Sequence, residues 1–143
     1  MNGEFLKSLR ETFDLEYENP GEVSSLILAY IGDAVYDVIT RTIVISKGNR
    51  PVNIINKENK SYVNAETQAR LSEVLEDKLT EEESAQFKRG RNAKSHSSAK
   101  NASLRDYRKA TGFEAVIGYL FLSGKDDRIL ELLKLGFDEI GKG

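Results

Sequence analysis

The chain has 143 residues, a net charge of −2, no cysteine and a single histidine, His96. This excludes disulfides, thiolate metal sites, a cysteine nucleophile and a histidine cluster. Any metal would rest on oxygen ligands, which favours Mg²⁺ or Mn²⁺, and any surface for a polyanion must be a local patch.

The length fits one domain over residues 1–143, large enough to enclose a core. Met1 to Leu15 alternates charges with isolated apolar residues, unlike a signal peptide. No apolar run is long enough to span a membrane, so a cytoplasmic protein is expected. Phe5, Leu6, Leu9 and Phe13 recur at helical spacing and predict a short amphipathic helix over 3–14. Asn19-Pro20-Gly21 breaks it. A long helix then runs from about Glu22 to Ile45, although its β-branched second half also has strand character. Val52 to Asn59 reads as a brief helix or turn, and Asn64 to Asp77 as a partly exposed helix. Thr80-Glu81-Glu82-Glu83 has the form of a capping box that opens another helix. From Gly90 to Ser103 apolar anchors are almost absent, which predicts an exposed loop containing His96. Ser103 caps a helix reaching about Leu122, and Asp126 to Ile140 closes the chain. The expectation is an all-α fold of about seven helices.

Two stretches stand out. Val23 to Gly32 carries no charge, and the apolar positions that follow fall on almost every side of the helix, which predicts a buried element with Tyr30 and Tyr36 in the core. Asp33 sits within it beside Gly32, which weakens a helix by roughly 1 kcal/mol against alanine but admits close backbone approach. Ala110 to Leu122 repeats the pattern: Glu114 is its only charge, and glycines flank it. Two such helices can cross closely and bring Asp33 and Glu114 together, where they would repel unless a proton or cation intervened. Two readings stand at this point. The carboxylates form a metal site, or each pairs with an arginine, for which Arg41, Arg105 and Arg108 are available. Asp37, one turn beyond Asp33, fits best as the partner of Arg41.

The other signal is charge segregation. Lys88, Arg89, Arg91, Lys94, Lys100, Arg105, Arg108 and Lys109 fall within 22 residues that hold one acid, Asp106, while Asn92 and Ser95 add polar donors. This mixture suits phosphate and 2′-hydroxyl contacts, although a charge run is also what a solvated surface looks like.

Leu28-Ala29-Tyr30-Ile31-Gly32-Asp33-Ala34-Val35 resembles the signature helix of the ribonuclease III family. Lys88-Arg89-Gly90-Arg91-Asn92-Ala93-Lys94-Ser95 and the Tyr107–Ala115 segment, with Thr111-Gly112-Phe113-Glu114, are similar to the short form of that family, which lacks a separate double-stranded-RNA-binding domain. The resemblance covers residues 22 to 122. It implies an all-helical homodimer that cuts double-stranded RNA with Mg²⁺, Mn²⁺ being a substitute, and trims large-subunit (23S) ribosomal RNA precursors, with a ribosomal protein as a further partner. It implies Asp33 and Glu114 as catalytic metal ligands, and Lys88, Arg89, Arg91, Asn92, Lys94, Ser95, Lys100 and Arg108 as the RNA grip. Full-length relatives carry further acids where this chain has Leu26, Ala29 and Thr111, so only Asp33 and Glu114 transfer. A non-catalytic RNA-binding or ribosome-assembly protein on the same fold is the alternative.

Overall fold

The two most apolar helices are α2 (Ser25–Ile45) and α6 (Leu104–Leu122), and in the computed structural model their backbones touch. The structure describes residues 3–16, 18–93 and 103–142. A Cβ placed on Gly32 of α2 would lie 1.8 Å from the Glu114 carbonyl oxygen, and one on Gly118 of α6 would lie 1.9 Å from the Leu28 carbonyl oxygen. Side chains ordinarily hold helix axes 8–10 Å apart. These two glycines let the helices cross closer than any other residue would allow.

The remaining helices surround this crossing: α1 (Glu4–Phe13), α3 (Val52–Val63), α4 (Ala65–Leu75), α5 (Glu81–Asn92) and α7 (Asp126–Ile140). Helices α4 and α5 pack along α6, α3 lies against α2, and α7 against α4 and α6. Tyr36, Leu71, Phe87, Phe113, Ile117, Leu132 and Phe137 belong to one buried cluster. Tyr36 meets the Phe113 ring edge-on at 5.4 Å, and its hydroxyl donates to the Tyr62 carbonyl at 2.6 Å. The capping box of α5 forms as its sequence predicts, with Thr80 N–H donating to Glu83 Oε1 at 2.9 Å and Glu83 N–H to Thr80 Oγ1 at 3.2 Å. Glu83 is also gripped by Arg128 of α7, which donates from Nε and Nη2 at 2.9 and 2.8 Å. One buried carboxylate thereby ties α7 to the start of α5.

Among the described residues there are seven α-helices and no strand, as expected. No helix is long and apolar enough to cross a membrane. Several boundaries differ from the sequence reading. Pro20–Glu22 forms a separate 3-10 turn capped by Asn19, so α2 starts at Ser25 rather than near Glu22. The β-branched half of α2 is helical throughout, and α3 is a full helix of 12 residues. The predicted loop from Gly90 is wrong at its start: α5 continues to Asn92, because Gly90 is buried against Gly112 and Ala115 of α6.

The largest correction concerns α2 itself. It is not buried all round: Tyr30 is 81% exposed, Val38 65% and Ile27 57%, and Asp33 and Ala34 are exposed too. Tyr36 is in the core as expected; Tyr30 is not. One side of α2 packs on α6 and α3, while the opposite side lines an open apolar groove of about 730 Å³ together with Phe5, Leu9 and Leu130. A helix that is apolar on every side is satisfied by burial within its own chain or against another, and this chain supplies only the first half.

Candidate active site

The crossing that the glycines permit sets the positions of the two carboxylates. Asp33 follows Gly32 on α2, and Glu114 is the residue whose carbonyl touches Gly32. Their side chains face each other closely enough to share a proton: burial first, then the hydrogen bond and charge of Asp33, push the Glu114 carboxyl up to about 9. No arginine pairs with either among the described residues, which removes the reading of two structural ion pairs. Asp37 does pair with Arg41, at 2.9 Å, as the i,i+4 spacing suggested. It also accepts from Asn59 Nδ2 of α3 at 2.9 Å, so it is held away from the Asp33–Glu114 pair. An exposed carboxylate facing a half-buried one, with an oxygen-only donor set, suits a hard divalent cation. The same groups form no cluster of three or more acids or histidines among the described residues.

The polar group that sequence reasoning missed is Gln68. It sits on α4, is 2% exposed and lies beside Glu114, whose charged form it favours. No periodicity signals it, because a glutamine between Thr67 and Ala69 reads as one more polar residue on a partly exposed helix.

The basic residues are arranged less simply than a loop would be. Lys88, Arg89 and Arg91 lie on the last turns of α5, with Asn92 at its end. Lys88, Arg89 and Asn92 are exposed, and Arg91 is half-buried over the Phe87 ring at 5.6 Å. The Arg89 guanidinium donates to Gln86 Oε1 at 2.7 Å, Val23 O at 3.1 Å and Gly21 O at 3.4 Å, which spends most of its donors inside the protein. Lys109 pairs with Glu73 at 2.9 Å. Arg91, Asn92, Leu104, Arg105, Arg108 and Lys109 line a cleft of about 430 Å³ between α5 and α6. Arg108 opens it on the same helix as Glu114, six residues away or ~9 Å along the axis. Lys94, Ser95, His96 and Lys100 lie outside the described residues.

A family profile described as "Ribonuclease III domain" matches residues 26–125, which spans the crossing, the cleft and both carboxylates. The chain belongs to the ribonuclease III family. Its relatives place it in the short branch of that family. It is 50% identical over 123 residues to Mini-ribonuclease 3 of Clostridium tetani, covering 85% of this chain and 78% of that one. It is 42% identical over 132 residues to Mini-ribonuclease 3 of Thermoanaerobacter, covering 92% and 93%. The fold is also that of a crystal structure of a protein from Fusobacterium nucleatum, with a TM-score of 0.75 at 28% identity, covering 80% of this chain and 93% of that one. Membership of the ribonuclease III family makes this chain an endoribonuclease. None of the three positions offers a carboxylate. Ala29 is buried against α6, Leu26 is part of the exposed apolar surface, and the Thr111 hydroxyl donates to the Tyr107 carbonyl at 3.0 Å.

Proposed function

We propose that this ribonuclease III-family enzyme is one catalytic domain that cleaves double-stranded RNA with Mg²⁺ held by Asp33 and Glu114. The observation that carries this is the facing pair of carboxylates with no cationic side chain among the described residues between them. When bound, the ion supplies Lewis-acid stabilisation of charge on a phosphate and eases deprotonation of water, and Mn²⁺ can do the same. The protein's own part is to hold the two carboxylates in fixed register across the backbone contact and to bring the scissile phosphate there. In-line attack by water leaves a 5′-phosphate and a 3′-hydroxyl. Large-subunit ribosomal RNA precursors in the cytoplasm are the natural substrate under this reading, with a ribosomal protein as a further partner. The deciding experiment is incubation with a plain duplex RNA in Mg²⁺ and in chelator. Cleavage only in Mg²⁺ supports the reading, and binding without cleavage replaces it with a non-catalytic RNA-binding protein.

The cleft between α5 and α6 would hold the phosphate backbone. Replacing Lys88, Arg91 and Arg108 together with alanine should weaken duplex binding similarly for unrelated sequences, because backbone contacts carry no sequence information. The slope of log affinity against log salt should shrink by about one unit per lost phosphate contact. Turnover at saturating RNA should change much less. Fluorescence anisotropy over a salt series, with single-turnover cleavage, measures both.

The groove beside α2 supports a symmetric homodimer, in which two sites address two strands. Exposed Ile27 and Val38 would be covered by the second copy. Ile27→Asp with Val38→Asp should convert the dimer into a folded monomer in analytical ultracentrifugation, and an unchanged sedimentation coefficient would move the interface elsewhere.

A further inference from the structure

An unused polar group beside the carboxylate pair is the side-chain amide of Gln68. Residues beside it on α4 satisfy their polar atoms locally: Thr67 Oγ1 donates to the Ser61 carbonyl at 2.8 Å and Ser72 Oγ to the Ala69 carbonyl at 2.6 Å. Gln68 does not. Its Nε2 is buried without a hydrogen-bond partner, on a helix packed directly along α6. A buried donor left unpaired is costly, and a leucine or methionine would fill the same volume without that cost. The amide lies beside the half-buried Glu114 carboxyl across the α4–α6 contact, and an N–H beside a carboxylate favours its charged form.

We propose that Gln68 is a positioning residue for Glu114: its Nε2 donates to one carboxylate oxygen when the pair holds a cation, leaving the other oxygen turned toward Asp33. This rests on the reading of Asp33 and Glu114 as the ion-holding pair. Ligating carboxylates are commonly oriented by a hydrogen bond to the oxygen that does not ligate, and loss of such a partner weakens metal affinity or activity by 10–100-fold in general. The two glycines fix where the Glu114 backbone sits. Gln68 fixes where its side chain points.

The test reads metal binding directly, with Mn²⁺ alone and no RNA, from the electron paramagnetic resonance signal of the free ion. Gln68→Met should weaken Mn²⁺ binding by about 10-fold while the melting temperature in chelator holds or rises, since an apolar side chain replaces an unpaired amide. A merely structural glutamine would give the opposite pattern, a lower melting temperature with Mn²⁺ affinity unmoved. Gln68→Asn keeps the amide but withdraws it by one methylene; it decides the matter if Gln68→Met does not fold, and should give a loss of a few-fold. Unchanged Mn²⁺ affinity in either folded variant overturns the proposal. Asp33→Asn separates the two levels. If Asp33→Asn loses Mn²⁺ while Gln68→Met keeps it, the carboxylate site stands and Gln68 has no part in it. If Asp33→Asn binds Mn²⁺ as the wild type does, the site itself is wrong and this inference falls with it.

Discussion

Gly32→Ala should destabilise the fold by about 3 kcal/mol, lower the melting temperature by roughly 10 °C and remove cleavage. The added methyl would meet the Glu114 carbonyl oxygen at 1.8 Å and the Gly118 amide nitrogen at 2.8 Å. Both are backbone atoms of a packed helix, so relief requires the helices to separate rather than a side chain to turn. Separation moves Asp33 and Glu114 apart, because each is anchored at the point of contact. Gly118→Ala, which meets the Leu28 carbonyl at 1.9 Å, should behave alike. Gly21→Ala is the control: its nearest neighbour is the Asn19 side-chain oxygen at 3.4 Å, and it should cost less than about 1 kcal/mol. Thermal melts and single-turnover cleavage report both quantities, and a stable, active Gly32→Ala protein would rule out the close crossing.

Asp33→Asn and Glu114→Gln should each reduce cleavage by on the order of 10³-fold or more with duplex binding nearly unchanged, and neither should destabilise the metal-free protein. Either substitution removes the need to hold a proton or a cation between two carboxylates. The pH dependence supplies an independent signature. In the folded, ion-free protein the Glu114 carboxyl is raised from its ordinary 4.5 to about 9, by burial and by Asp33. The unfolded chain releases that proton near 4.5 and the folded chain keeps it. Stability from this group is therefore complete below about pH 4.5 and is lost as pH rises toward 9. In chelator, wild-type stability should decline across that window and Glu114→Gln should flatten the decline. Glu58 and Glu73, held below the ordinary carboxylate range by hydrogen bonds from Arg50 and Lys109, act in the opposite sense but equally in both proteins. A Glu114→Gln melt that tracks the wild type from pH 5 to 8 would show that the carboxyl ionises freely.

The helices were legible because their signals are local: the caps read at Thr80 and Ser103 both form, and α6 ends at Leu122 as expected. The meeting of Asp33 and Glu114 was legible for a different reason. A lone acid beside a glycine in an apolar helix is expensive, and the pattern occurs twice. Burial of α2 was misread because its period is apolar on every side, and composition does not say whether the second side faces its own chain or another. The basic segment was misread at Gly90, which contributes no side chain to any pattern yet is buried because Gly112 leaves room for it. The internal partners of Arg89 were not legible, because the carbonyls it donates to lie 66 and 68 residues away, a separation no local window spans. Gln68 was invisible on the same grounds: its significance comes entirely from α6.

Helix α1 buries little against the rest of the fold: Gly3 N–H donates to Asp126 Oδ2 at 3.0 Å, and Leu6 is its only buried residue. Its two phenylalanines, Phe5 and Phe13, are 71% and 70% exposed. Little apolar area is lost when this helix lifts, so it can open as a local unit at a free energy well below that of global unfolding. Phe5 nonetheless forms one wall of the groove beside α2. If α1 lifts, that wall goes with it, so whatever fills the groove favours the docked position of α1. An occupant of the groove would therefore also hold α1 down, while the carboxylate pair on the far side of α2 is positioned by main-chain contact.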